Sequence, residues 1–389
     1  MTLNRIKILR EKFKKFEIDG YIVPKNDEFF SEYAENDRLK NISNFTGSAG
    51  LAIILKKNNY LFVDGRYTIQ AQNESGKNFK IIEIHKKLPH NIIKKCKLGF
   101  DPLLFTSNKL KRYFSNNIKL VSINENLIDK IYKNKNKKAK PFFSLSKNIV
   151  GESYQSKIKK VINFLKKNKA DYLFVSAPEN VAWLLNIRGS DNPTSPIPNS
   201  RLIIGKNKQL LLIAKKGCVQ KIINQKKIKR DQIIDFDQLK ESINKLKGTN
   251  FIIDHHSCSI FAERVIKSKF KILDIKDPIY KLKSIKNSSE IKHMIEAHKK
   301  DGLALTRFIY WIKNINKKRL SEVDAQIKLE KFRKMNKDYL FPSFNTIAGA
   351  GSNGAIVHYR ATKLNTKNIN KNDIFLCDSG GQYKYGTTD

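Results

Sequence analysis

The segment Asp378-Ser379-Gly380-Gly381-Gln382-Tyr383-Lys384-Tyr385-Gly386-Thr387-Thr388-Asp389 decides how this 389-residue chain is read. Asp378 follows the apolar run Ile374-Phe375-Leu376-Cys377, which predicts a carboxylate at a buried strand position. The glycines, Gly386 among them, suit tight turns, so the segment is expected to fold back as a hairpin. That would set Asp378 and Asp389 on adjacent strands, where facing side chains have Cβ atoms about 5 Å apart. Two buried carboxylates so close repel, and either one is protonated or a cation sits between them. A pair of divalent ions about 3.5–4 Å apart is one known solution. The plainer alternative makes Asp389 an exposed chain end and Asp378 a capped turn residue, and spacing alone leaves both open.

Immediately upstream lies the Gly-rich stretch 341–359, FPSFNTIAGAGSNGAIVHY, which carries a lone histidine, His358. Its glycines let backbone approach a ligand closely, yet a lone His in such a loop reads first as a turn or core residue. Before it, Ser321 caps a helix expected through Phe332. Asn287-Ser288-Ser289-Glu290 signals the start of another helix. Its apolar residues Ile291, Met294, Ile295, Leu303, Leu305, Phe308, Ile309 and Ile312 keep nearly a 3.6-residue period.

The first two thirds contain a repeat in the order of elements. A charged helix over about Leu3–Phe16 leads to the strand Gly20–Pro24. A loop with Asp27, Glu28 and Tyr33 follows, then Gly47-Ser48-Ala49-Gly50 and the strands LAIIL and YLFVD. The second copy has a helix near Ser156–Asn168, the strand Asp171–Ser176, a loop through Trp183 and Arg188-Gly189-Ser190-Asp191, and the strands RLIIG and QLLLI. Helices alternating with short β-branched and aromatic runs predict α/β layers. The region 124–147, with the run KIYKNKNKKAKP, reads as a solvated linker.

A net charge of +40 tempts one toward nucleic acid, but only 13 of the 76 basic residues are Arg. Phosphate and base forks favour Arg, and the lysines are spread along the chain rather than gathered on one face. No specific nucleic-acid partner is expected. No apolar run reaches signal-peptide or membrane-spanning length, so a cytoplasmic protein without a membrane partner is expected. Cys96, Cys218, Cys258 and Cys377 form no CxxC pair and read as buried reduced thiols. His293 and His298, five apart, do not share a helix face as a metal pair would, and nothing nearby in sequence completes a site around Asp254-His255-His256.

DSGGQYKYGTTD resembles the metal-binding hairpin of Xaa-Pro aminopeptidases, the three-domain branch of the pita-bread metallopeptidases. FPSFNTIAGAGSNGAIVHY, KSIKNSSEIKHMIEAHKKDGLAL, FTGSAGLAIIL with FVDGRY, and AWLLNIRGSD are similar to other hallmarks of that family. The resemblance covers essentially the whole chain. It implies a fold of α/β and α+β type: two tandem creatinase N-terminal-like α/β domains, over 1–140 and 150–283, followed by the first part of a pita-bread catalytic domain over 284–389. It further implies that Asp378 and Asp389 are metal ligands, that His358 is catalytic and binds substrate, and that Arg66 contacts peptide. The implied cofactor is a pair of divalent ions, Mn²⁺ before Zn²⁺ or Co²⁺. Their bridging hydroxide would attack the first peptide bond of substrates with proline at the second position. A homodimer is implied by the family alone. The pattern also calls for one His and two Glu downstream of Asp389, so the chain is expected to be an inactive N-terminal portion of a longer protein. Two alternatives stay open: a non-catalytic pita-bread relative that binds peptides or proteins, and a prolidase-type dipeptidase.

Overall fold

In the computed structural model, residues 2–32, 36–114, 117–132, 140–315 and 319–389 are described. Tyr33 and the core of the expected linker, 133–139, lie outside the described residues. The chain divides into two compact units, one of residues 1–145 and 153–285, the other of 146–152 and 286–389.

In the first unit the repeat in sequence becomes a repeat in topology. Strands β1 (Gly20–Pro24), β2 (Leu51–Leu55), β3 (Asn59–Val63), β4 (Lys80–Glu83), β5 (Cys96–Phe100) and β6 (Ile118–Ser122) form one sheet in the order β4-β3-β2-β1-β5-β6. Strands β7 (Tyr172–Val175), β8 (Arg201–Gly205), β9 (Leu210–Ile213), β10 (Ile233–Ile234), β11 (Asn250–Ile253) and β12 (Lys271–Asp274) form a second sheet of the same order, β10-β9-β8-β7-β11-β12. In each, the central strand runs antiparallel to the next strand in sequence and parallel to the fifth. Every residue of β1 and β8 is buried. Strands covered on both faces read as continuous apolar runs rather than alternations, which is why these were legible.

Helix α1 (Thr2–Glu11) is shorter than expected, because the chain turns through Lys12–Glu17, with Glu17 at φ 49°, to enter β1. Helix α2 (Tyr154–Lys167) is capped by Ser153, whose hydroxyl accepts from Ser156 N at 3.2 Å. It buries Ile158, Val161, Ile162 and Leu165, one stripe of a 3.6-residue period. Fully burying each such side chain contributes about 1.5–3 kcal/mol. Between the two sheets' domains the Arg201 guanidinium sits 4.4 Å from the Phe29 ring and 4.7 Å from that of Phe236. Two of the four cysteines, Cys96 and Cys377, prove half-buried, and all four are free.

The second unit is built on two helices. Helix α3 (Ser288–Asn314) starts with a capping box: Asn287 accepts from Glu290 N, and Glu290 accepts from Asn287 N, each at 3.0 Å. Helix α4 (Glu322–Lys334) starts with Ser321 and Asp324 in the same arrangement. Strands β13 (Tyr339–Pro342) and β16 (Gly381–Tyr383) pair, as do β14 (Ile347–Ala350) and β15 (Phe375–Asp378). The apolar period of α3 does not translate into burial. Ala297, Ala304 and Phe308 are buried, whereas Ile291, Ile295, Leu303 and Ile309 are exposed, Leu303 by 53%.

Candidate metal and substrate site

The expected fold-back is present. Tyr383 N donates to Gly386 O at 2.8 Å, Gln382 pairs with Thr387, and Thr388 N donates to Gly381 O at 2.9 Å. Two expectations need correction. Asp378 ends strand β15 but is exposed, as is Asp389, because β15 pairs only with β14 among the described residues. The register also places Gly380, not Asp378, across from Asp389, since Gln382 faces Thr387. The carboxylates are therefore offset rather than facing. Without burial, their proximity does not by itself demand a cation.

What is buried beside them is a different carboxylate. Asp301 of α3 accepts from Arg333 Nε at 2.7 Å and from Arg333 Nη2 at 3.1 Å, and the Tyr383 hydroxyl donates to it at 2.8 Å. Arg333 Nη2 also reaches Ser379 O at 3.2 Å and Ser379 Oγ at 3.1 Å, next to Asp378. Burial alone would push the Asp301 carboxyl up, and the hydrogen bonds and charge of Arg333, with the hydrogen bonds of Tyr383 and Thr388, more than reverse it, leaving it below the usual range. Burial, then the bond to Asp301, push the Tyr383 hydroxyl well above its ordinary value. Gly380 is required where it stands: a Cβ there would lie 2.1 Å from Thr388 O.

His358 follows β14 in a loop that opens with the short turn Gly351–Ala355. It is half-buried and adopts φ 59°, the left-handed region that an L side chain enters at a cost of about 1–2 kcal/mol. Such outliers persist where surroundings over-determine them. Here the surroundings are Glu322, fully buried at the start of α4. Its carboxylate accepts from Ala350 N (2.7 Å), Asn353 Nδ2 (2.9 Å), Lys367 N (2.9 Å) and the Tyr359 hydroxyl (3.0 Å), whose single proton is shared with Asn365 O. Burial and the bond to Glu322 push the Tyr359 hydroxyl strongly up. One ladder links this loop to the hairpin: Ile347 of β14 pairs with Asp378 of β15.

Arg66 belongs to the first unit and the other three candidates to the second. Its guanidinium pairs with Asp64 (Nε–Oδ1 3.0 Å, Nη2–Oδ2 2.8 Å) and is about half exposed. That pairing holds the Asp64 carboxyl below its ordinary range. His293 lies against Tyr385 with the rings tilted by 53° and their centroids 5.1 Å apart, and His298 Nδ1 lies 2.9 Å from Met294 O, so both have local roles. His255 gains partners that sequence proximity did not show: Asp274 at 2.8 Å and Glu263 at 3.4 Å.

As to metal, Asp378 and Asp389 are hard oxygen donors of the type Mn²⁺ or Mg²⁺ takes. Yet no group of three or more His, Cys, Asp or Glu gathers to hold an ion among the described residues. Two carboxylates do not fix a dinuclear centre. The donor set here is partial, and no reaction step is routed through it.

The comparisons with known proteins follow the same division. The profile of the creatinase/prolidase N-terminal domain matches residues 5–131, a second profile of that description matches 133–290, and that of metallopeptidase family M24 matches 292–389. The chain is thus built of two creatinase-type domains and M24 metallopeptidase sequence. A probable Xaa-Pro aminopeptidase P of Laccaria bicolor is 32% identical over 100% of this chain and 64% of its own length. One of Paracoccidioides brasiliensis is 32% identical over 100% of this chain and 68% of its own. The chain belongs to the Xaa-Pro aminopeptidase P family, and it spans about two thirds of the length of those relatives. Among solved structures, an X-prolyl aminopeptidase of Caenorhabditis elegans, described as a cytosolic enzyme with a di-nuclear active site, superposes with TM-score 0.88. It is 23% identical, and the match covers 100% of this chain and 69% of that one, which establishes the fold. No helix among the described residues is long and apolar enough to cross a membrane.

Proposed function

We propose that this sequence serves a metal-dependent aminopeptidase that releases the N-terminal residue from peptides with proline at the second position. The observation that carries the reading is the ladder joining β14, which leads to His358, to β15, which ends on Asp378, in a chain 32% identical to named Xaa-Pro aminopeptidases. Asp378 and Asp389 would hold divalent ions, Mn²⁺ first. Such ions supply Lewis acidity and a water of lowered pKa. His358 would hydrogen-bond the scissile carbonyl and the charge that develops on it. Arg66 would hold peptide through its fork of donors. The division into domains 1–140, 150–283 and 284–389 is part of the same proposal, as is a homodimer.

With two carboxylates and no third ligand gathered among the described residues, the 389 residues alone are expected neither to hold Mn²⁺ tightly nor to turn over Xaa-Pro peptides. The test is a chimera that continues after Asp389 with the C-terminal segment of the Laccaria bicolor relative. Mn²⁺-dependent release of the first residue from an Xaa-Pro tripeptide is expected, and its loss in Asp378→Asn. A chimera that loads Mn²⁺ but cleaves only dipeptides would replace this reading with the prolidase type. One that binds such peptides without cleavage would replace it with the non-catalytic relative.

A further inference from the structure

A carboxylate in the first turn of a helix ordinarily sits in water, favoured by the helix dipole. Glu322 holds that position in α4 and is 0% exposed. Among the described residues its charge meets hydrogen-bond donors rather than a cation. Its four donors all come from the segment 350–367: two backbone N–H groups, from Ala350 and Lys367 at the two ends, and two side chains, Asn353 and Tyr359. An ionised carboxylate has about four acceptor sites, so the set is complete. Tyr359 is the residue after His358, and the single proton of its hydroxyl is shared between Glu322 at 3.0 Å and Asn365 O at 2.9 Å. The left-handed residue of the loop is therefore pinned on its C-terminal side and closed off at both ends.

We infer that Glu322 is the positioning residue for His358: its buried carboxylate closes the 350–367 loop and fixes the backbone conformation that sets the direction of the imidazole. The role of His358 in peptide hydrolysis rests on the proposed function, whereas the anchoring itself does not. A glutamine at 322 keeps the shape but offers one acceptor oxygen and an NH₂. In either amide orientation a donor then faces donors, and one end of the loop or the Tyr359 hydroxyl loses its acceptor.

The test uses the 389-residue chain with ¹³C-labelled histidine. Seven imidazole resonances are expected, and His358→Ala assigns one of them. Glu322→Gln should move or broaden the His358 resonance while those of His85, His90 and His256 stay in place. Tyr359→Phe, which deletes one donor and keeps the ring, should shift the same resonance less. A His358 resonance unmoved in a folded Glu322→Gln chain overturns the inference. If Glu322→Gln does not fold, Tyr359→Phe and Asn353→Ala decide, with an unmoved resonance in both overturning it.

In the active chimera, Glu322→Gln should lower kcat/KM by about 100-fold, the scale of an ångström misplacement. In a His358→Ala background it should lower it by less than about threefold, because both changes act through one group. Losses that simply multiply would overturn the positioning role. An inactive but Mn²⁺-loaded chimera would defeat the aminopeptidase reading and leave the resonance test standing.

Discussion

Replacing Arg333 by Met tests whether the hairpin is held by a buried ion pair. The Arg333 side chain is 1% exposed and that of Asp301 11%. Removing the guanidinium takes both of its hydrogen bonds from Asp301 and two more from Ser379. Met keeps most of the stem volume, so the cavity contribution is small. What remains is a buried carboxylate without its cation, a change that costs about 3–5 kcal/mol. Domains of this size have only about 5–15 kcal/mol in total. Linkage adds a second signature. In the native chain the Asp301 pKa is depressed, so the unfolded state binds more protons, and the pair's contribution is lost as pH falls through the folded value. In Arg333→Met, burial is opposed only by the hydrogen bonds from Tyr383 and Thr388, so that pKa rises and protonation on acidification relieves the penalty. The stability gap should therefore be widest at pH 7 and shrink toward pH 4. The chain has two tryptophans. In a Trp183→Phe background, Trp311 alone reports on the second unit in urea unfolding. A gap under about 1 kcal/mol at pH 7, or one that stays constant down to pH 4, would refute the reasoning.

The same reporter gives two glycine substitutions of opposite sign. Gly380→Ala must displace Thr388 O and Ser343 Oγ, 2.1 and 2.2 Å from the new Cβ, and should destabilise by about 1–3 kcal/mol. Gly302→Ala in α3 meets nothing within 4 Å and should stabilise by about 0.5–1 kcal/mol. Arg66→Ala, at an exposed pair, should move first-unit stability by no more than about 1 kcal/mol while raising KM for Xaa-Pro peptides in the chimera. Asp277 accepts from Ile279 N and Asn180 Nδ2, and burial pushes its carboxyl up to about 6. Here the native state binds the extra proton, so its contribution is present below the unfolded pKa of about 4 and lost as pH rises through about 6. Asp277→Asn should flatten that slope, followed by Trp183 fluorescence in a Trp311→Phe chain; an unchanged slope would count against the assignment.

How much of this was legible depended on what each residue packs against. The tandem sheets could be read because strands such as Ile22-Val23 and Leu202-Ile203-Ile204 are buried on both faces, and the Asn287 and Ser321 caps because their signals are local. The α3 stripe misled because periodicity reports which residues share a face, not whether anything covers it. Leu303 and Ile309 keep the period and remain exposed, while Asp301, one turn from Ala297 and Ala304, is buried. A charge on the line 297-301-304-308 was the available signal for the Arg333 pair. Glu322 gave none, since in sequence it is an ordinary acid after a Ser cap, and its four partners lie 28 to 45 residues away.

Desolvation makes an acid demand partners, and the sequence suggested that Asp378 and Asp389 were the desolvated ones. In the fold that demand falls on Asp301 and Glu322, and each is met, one by a guanidinium and a phenol, the other by two amide N–H groups and two side chains. Because both are satisfied internally, neither is a candidate ligand. Each instead ties a helix to a segment that carries a candidate site residue: Asp301 of α3 holds Tyr383 of the hairpin and Arg333 of α4, which reaches Ser379 beside Asp378, and Glu322 of α4 holds the loop of His358. The exposed acids remain available to a cation, which a buried and already bonded carboxylate is not. If Arg333→Met and Glu322→Gln disturb different segments, as their separate partners require, their effects on stability should add to within about 0.5 kcal/mol. A larger coupling would mean that the hairpin and the histidine loop share one support.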